Sequence, residues 1–260
     1  MSETIIEYRA VHKRFDAPVL DGVSLSVAKG EILAVVGPSG TGKSVLLKTT
    51  IGLIIPDAGD VLVEGESVVR ARPGELQNIR RKARYVFQYA ALFDSMNVFE
   101  NVCMGLPEDA AKTLGKSEVA RRVRQAVENV NLDPDAVLSK LPAELSGGMR
   151  KRVGLARAIV GEPRILLYDE PVTGLDPINT AAIDRLILEI ARTTGVTSLI
   201  VTHDIEGVLL ICHRIALLEG GKLRFVGTPQ EFRDSDNELV RAFADRSAAA
   251  AAAVKMVEQR

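Results

Sequence analysis

The stretch Gly37-Pro38-Ser39-Gly40-Thr41-Gly42-Lys43-Ser44 constrains this 260-residue chain more than any other feature. It matches G-x-x-x-x-G-K-[ST] at every fixed position. An apolar run, Glu31–Val36, precedes it, and a helical stretch, Val45–Ile51, follows. Glycines let successive backbone N–H groups converge on phosphate oxygens, and the helix start adds partial positive charge. Lys43 is placed to reach the β- and γ-phosphates of a nucleotide, and the Ser44 hydroxyl to sit on Mg²⁺. The strand before such a loop is buried on both faces, so the rest of the chain must supply neighbours for it.

The neighbours are legible. Ile165–Tyr168, Ser198–Thr202 and Arg214–Glu219 are further apolar strands, and Gly220-Gly221 turns the last into Lys222–Val226 as a hairpin. Helical periods lie between them: Val119, Val123, Ala126, Val127 and Val130, then Ile183, Leu186, Ile187, Ile190 and Ala191. Alternating strands and helices predict a mostly parallel sheet. Residues 5–28 and 59–70, with a turn at Glu64-Gly65-Glu66, predict an antiparallel β subdomain, and residues 89–160 a helical insertion. Residues 1–88 and 161–235 are thus expected to form the α/β core with its β subdomain.

Thr228-Pro229-Gln230-Glu231 is a helix start, with Thr at the cap, Pro first and Glu three on. Residues 236–260 are expected to be either a helical tail that needs a partner surface or a frayed terminus, and contain six alanines, Ala248–Ala253, which bury little. Leu239, Val240 and Phe243 are expected to dock it on a neighbouring chain.

Lys+Arg number 33 and Asp+Glu 34, a net charge of −1, which argues against a chain that lives on nucleic acid. No stretch looks like a secretory signal or a membrane span, so work at a membrane is expected to go through a partner. Two cysteines, Cys103 and Cys212, lack metal-ligand spacing and read as reduced thiols. The basic residues Arg70, Arg72, Arg80, Arg81, Lys82 and Arg84 are expected on a solvated helix face.

Two further motifs carry chemistry. Asp169 and Glu170 end the apolar strand Ile165–Tyr168, so that Asp169 can hold a Mg²⁺ shell while Glu170 faces the water that attacks the γ-phosphate. Upstream lies Leu145-Ser146-Gly147-Gly148-Met149, where Ser146 or a glycine can start the following helix. At these residues the chain resembles the ATP-binding-cassette (ABC) ATPases. Their signature is L-S-G-G-Q, and Met149 stands in place of the Gln.

The resemblance runs from about residue 5 to about residue 233. It implies a P-loop NTPase (RecA-like) core with an antiparallel β subdomain and a helical insertion that carries the signature. Gln88 falls at the Q-loop position, which contacts Mg²⁺ and links the site to a membrane partner. His203 falls at the switch histidine and Asp176 in the D-loop, Gly174-Leu175-Asp176-Pro177. Phe15 falls at the aromatic position that stacks on adenine, with Tyr8 as its competitor. The resemblance also implies ATP and Mg²⁺ as cofactors and a head-to-tail homodimer, each ATP lying between one chain's Gly37–Ser44 and the other's Ser146, Gly147 and Gly148. It implies a transmembrane permease as partner, at the cytoplasmic face of the inner (plasma) membrane, with no role for nucleic acid. The run Phe87–Val102, with Met149, is similar to the lipid-asymmetry (MlaF-type) group, whose permeases work with MCE-domain lipid carriers. An importer of another cargo is the alternative, and a soluble ABC ATPase acting on nucleic acid or ribosomes is a more distant one.

Overall fold

The structure is a computed structural model, and residues 3–107 and 113–245 are described here. In chain order the strands and helices begin with β1 (Thr4–Arg14), β2 (Pro18–Ala28), β3 (Ile32–Val36), α1 (Lys43–Thr50), β4 (Ala58–Val63), β5 (Glu66–Ser67), α2 (Pro73–Lys82) and β6 (Ala83–Val86). Helices follow: α3 (Val98–Cys103), α4 (Lys116–Glu128), α5 (Pro134–Val137), a 3-10 turn at Pro142–Glu144, and α6 (Gly147–Ile159). The chain continues through β7 (Ile165–Asp169), α7 (Pro177–Thr194), β8 (Thr197–Thr202), α8 (Ile205–Ile211), β9 (Arg214–Glu219), β10 (Lys222–Gly227) and α9 (Pro229–Arg233). Residues 238–245 are helical. The expected elements are present, and between residues 89 and 160 the described residues contain helices and turns only.

The chain divides into two compact units, Met1–Ile79 with Thr197–Arg260, and Arg80–Val196. β6 and β7 pair with each other within the second unit.

In the first unit β2, β1, β4 and β5 form an antiparallel sheet. Its β4–β5 turn uses Glu64 and Gly65 at φ 49° and 79°, the left-handed pair that a two-residue hairpin of native twist needs. β3 runs parallel to both β8 and β9, and β10 returns antiparallel on β9. Every residue of β3 and β8 is buried, the reason both read as unbroken apolar or small runs. The buried Glu31 beside β3 is satisfied by the Ala28 N–H (2.7 Å) and Arg214 (3.2 Å). His213 accepts the Ile32 N–H through Nδ1 at 2.9 Å, a structural staple. The α9 start forms the expected capping box between Thr228 and Glu231.

In the second unit β6 and β7 are parallel, Tyr85 opposite Leu167. The apolar faces anticipated for α4 and α7 are the ones buried: Val123, Ala126 and Val127, and Ile183, Leu186, Ile187, Ile190 and Ala191.

Two expectations need correction. Val240 is fully buried within a single chain, with Leu239 and Phe243 half-buried. One turn of amphipathic helix therefore docks on its own chain instead of a neighbour. The alanine run, Ala248–Ala253, lies outside the described residues. Arg84 is not on a helix face. It lies on β6 and donates to the Gly105 carbonyl at 2.9 Å, its burial lowering the guanidinium's proton affinity.

Candidate nucleotide site

The phosphate loop is built by its glycines. Gly37 has φ 151° and packs against the β9 backbone, where a Cβ would run into the Leu218 carbonyl oxygen. Gly42 has φ 96°, and a Cβ there would stand 2.7 Å from the Val19 carbonyl oxygen. Both positions exclude any side chain on two counts, conformation and space. Gly42 is also the cap of α1, so no side chain caps the first turn, and no acidic residue lies in it. An uncapped helix start of this kind favours an anion. Pro38, Ser39 and Gly40 are exposed at the loop's crest, Thr41 donates to the Pro38 carbonyl (2.8 Å), and Ser44 is half-buried. The Lys43 ammonium is buried and donates to the carbonyls of Gly37 and Pro38, both at 2.9 Å, so it is held inside the loop's curve.

β3 and β8 run in register, Val36 opposite Thr202, so Gly37 and His203 leave the sheet side by side. His203 is exposed. The turn after it is fixed by the Asp204 N–H on Thr202 Oγ1 (3.0 Å) and by Asp204 capping α8.

On the same unit, Phe15 and Tyr8 part company. Tyr8 is 1% exposed, with its hydroxyl on Thr50 Oγ1 at 2.5 Å, and it offers no face to a base. Phe15 is 55% exposed, with Lys13 Nζ 5.4 Å from its ring centre.

The second unit carries the carboxylates. Asp169 ends β7 and is buried, and Tyr85 on β6 donates its hydroxyl to Asp169 Oδ2 at 2.5 Å. Burial first, and then the Asp169 charge, push the Tyr85 hydroxyl well above the ordinary tyrosine range, so it remains a donor. Glu170 has φ 50°, a left-handed turn that a glutamate adopts only where its surroundings enforce it. That turn, more than strand alternation, separates the half-exposed Glu170 from the buried Asp169. Thr173 donates to Glu170 Oε2 at 3.3 Å.

Ser146 caps α6, its hydroxyl accepting the Met149 N–H at 3.2 Å, as anticipated. Ser146 and Gly147 are exposed, and a Cβ on Gly147 would meet nothing within 4 Å. Gly148 is buried against α7, where a Cβ would stand 2.9 Å from Asn179 Oδ1. Asn179 in turn donates its amide to Asp176 Oδ2 (2.5 Å), and its N–H goes to Asp176 Oδ1 (3.0 Å). These bonds hold the Asp176 carboxyl below its usual range. Gln88 is half-buried, and its main-chain carbonyl accepts from Lys151 Nζ at 2.5 Å. Tyr85, Lys151 and Asn179 were not anticipated. Each acts on a partner distant in sequence, and none falls in a local pattern that marks it.

The donors anticipated for Mg²⁺ are the Ser44 hydroxyl, the Asp169 carboxylate and the Gln88 amide oxygen. All are hard oxygen ligands of the kind that suit Mg²⁺ alongside a nucleotide's phosphates.

Residues 20–173 match the family model described as ABC transporter. The chain belongs to the ABC transporter family. Among curated relatives of the family, the sulfate/thiosulfate import ATP-binding protein CysA of Caulobacter vibrioides is 40% identical over 232 residues. That alignment spans 88% of this chain and 66% of the relative. The probable ribonucleotide transport ATP-binding protein mkl of Mycobacterium leprae is 39% identical over 239 residues, 92% of this chain and 68% of the relative. The chain thus spans about two thirds of the length of these ABC relatives. Among solved structures, the ATP-binding cassette MJ0796, a dimer in a post-hydrolysis state bound to ADP and Pi, matches with a TM-score of 0.77. The identity is 29%, over 86% of this chain and 99% of that one. The fold is the ABC ATPase fold, an α/β P-loop NTPase core.

Proposed function

We propose that this chain is the ATP-hydrolysing subunit of an ABC transporter and that it works as a head-to-tail homodimer on a transmembrane permease. The observation that carries the reading is Gly147. It lies at the exposed start of α6, where a Cβ would meet nothing within 4 Å, and such a helix terminus suits a phosphate ligand. A second subunit's Gly37–Ser44 loop supplies that ligand. The relatives named above are transport ATP-binding proteins, and the solved cassette is dimeric, which supports the same reading.

In this mechanism the backbone N–H groups of Gly37–Ser44 hold the β- and γ-phosphates, and Lys43 exchanges its loop carbonyls for phosphate oxygens. Phe15 stacks on adenine. Ser44, Asp169 and Gln88 would hold Mg²⁺, which would neutralise phosphate charge. Glu170 accepts a proton from the attacking water, and His203 contacts the γ-phosphate. Ser146, Gly147 and Gly148 close on that phosphate from the partner, with Asp176 crossing the interface. Catalysis is largely positioning and charge neutralisation of a loose phosphoryl-transfer transition state.

The finer reading is phospholipid transport through a permease that works with an MCE-domain lipid carrier. Met149 and the run Phe87–Val102 support it. Phe87, Tyr89, Phe93 and Met104 are exposed in the segment that contains Gln88, apolar side chains suited to a permease helix. No helix among the described residues is long and apolar enough to cross a membrane. Peripheral attachment at the cytoplasmic face of the inner membrane follows through the permease.

The test is a pair of variants. Glu170→Gln is expected to bind ATP normally, to accumulate as an ATP-bound dimer and to lose turnover by at least about a hundredfold. Ser146→Arg is expected to keep nucleotide affinity as a monomer and to lose both dimerisation and turnover. Loss of ATP binding by monomeric Ser146→Arg would place Ser146 in its own chain's site and overturn the trans arrangement. Co-purification with a permease and an MCE-domain protein, and phospholipid in the complex, test the cargo.

A further inference from the structure

The segment that follows Gln88 is held in an unusual way. Ala90 and Ala91 are consecutive non-glycine residues with φ 60° and 47°. Left-handed alanine is disfavoured by about 1–2 kcal/mol per residue, so two in succession persist only where something enforces them. What enforces them is α6, which begins at the signature. Lys151 Nζ donates to the Gln88 carbonyl at 2.5 Å, and Arg157 donates to the carbonyls of Ala91 (2.7 Å) and Ala90 (2.6 Å). Gly154, between those two cations on the helix, lets Ala90 approach. A Cβ there would stand 2.9 Å from the Ala90 Cβ.

Three carbonyls within four residues are thus captured by two cations of one helix, across a glycine that makes room. Both cations are partly desolvated. Burial lowers the proton affinity of Lys151 and of Arg157, and the Glu170 carboxylate acts on Lys151 in the opposite sense. The Lys151 ammonium therefore touches the main chain of Gln88 and lies in the field of Glu170.

We infer that Lys151 is a positioning residue for ATP turnover: it fixes the main chain of Gln88 to the signature helix, so that Gln88 and α6 move as one piece. This rests on the ATPase reading above and assigns a role to a residue that the reading leaves idle. Replacing the ammonium leaves a half-buried carbonyl without its charged donor and frees the Ala90–Ala91 turn to relax. Lys151→Arg restores a cation of similar reach.

The experiment compares the full chain with Lys151→Met and Lys151→Arg. It reads backbone amide exchange over residues 87–93 without nucleotide, ATP affinity, and turnover with the permease. In Lys151→Met, exchange in that segment is expected to rise about tenfold with the rest of the second unit unchanged. Turnover is expected to fall about tenfold at unchanged ATP affinity, and Lys151→Arg to recover most of both. Unchanged exchange in Lys151→Met overturns the inference, as does a loss that Lys151→Arg does not repair. Exchange that loosens across the whole unit also overturns it, because it assigns Lys151 to general stability. Absence of turnover in the unmodified protein with its permease refutes the ATPase reading, while the exchange comparison still decides the clamp.

Discussion

Removing one oxygen, in Tyr85→Phe, tests how the second unit holds Asp169, the carboxylate proposed for Mg²⁺. The hydroxyl donates to Asp169 Oδ2 at 2.5 Å, and Asp169 is 8% exposed, so little water stands ready to replace the donor. Phenylalanine keeps the ring, including its tilted packing on Phe87 at 4.7 Å, so the perturbation is confined to the hydrogen bond. A hydrogen bond to a charged group contributes about 1.5–3 kcal/mol. At roughly 2–4 °C per kcal/mol for a chain of this size, the melting temperature should fall by about 3–12 °C. Outer-shell partners of metal ligands also set metal affinity, so the Mg²⁺ concentration that half-saturates nucleotide binding should rise about tenfold or more. Thermal melts without nucleotide and calorimetric ATP titrations across a Mg²⁺ series read the two effects separately. The raised Tyr85 pKa adds a sign. A group whose folded pKa lies above its unfolded value near 10 stabilises fully below that pH and loses the contribution as pH rises from there through the folded pKa. The difference between the two proteins should therefore hold at neutral pH and shrink above about pH 10. A variant that melts within a degree of the parent, with the same Mg²⁺ dependence, would show that Asp169 is held without Tyr85.

Gly42→Ala, which meets the Val19 backbone at φ 96°, should cost more stability than Gly40→Ala, where φ is 80° but nothing lies within 4 Å. A gap of at least about 1 kcal/mol in denaturant titrations is expected, and equal losses would mean the Val19 contact yields freely. Val240→Asp buries an unpaired charge and should lower stability by about 3 kcal/mol or more in the isolated monomer, whereas an effect seen only on dimerisation would restore docking on a neighbour. Burial pushes the Cys212 thiol up to about 12 from 9.0, so at pH 8 it should react with a thiol reagent on the order of a thousandfold more slowly than a free thiol; rapid modification of the native chain would contradict that burial.

What the chain's text made legible follows from how local each feature is. The phosphate loop, the α9 capping box and the Gly220-Gly221 hairpin each lie within a few consecutive residues, and their physics can be recognised without a partner. The buried strands are unbroken apolar or small runs, and the α4 and α7 faces show a clear helical period. The Tyr85–Asp169 bond spans residues of different elements, as do Lys151 with Gln88 and Asn179 with Gly148. No window along the sequence holds both members of any of these pairs. Arg84 misled because it continues a run of basic residues whose helix has already ended at Lys82. Tyr8 and Phe15 are both aromatic residues near the start of the chain, and only burial tells them apart.

The parallel register of β3 and β8 has a consequence for how the molecule tolerates change. Paired strands lie about 4.8 Å apart because their backbones are hydrogen-bonded, whatever side chains they carry. The spacing between Gly37 and His203 is therefore written in main-chain geometry, and exchanging one apolar residue for another along either strand leaves it intact. Insertions and deletions are another matter. Dropping a single residue from β8 reverses the facing of every side chain beyond the gap and draws His203 back along the strand by about 3.3 Å. Lineages of this chain can drift freely in the letters of these two strands while remaining bound to their length.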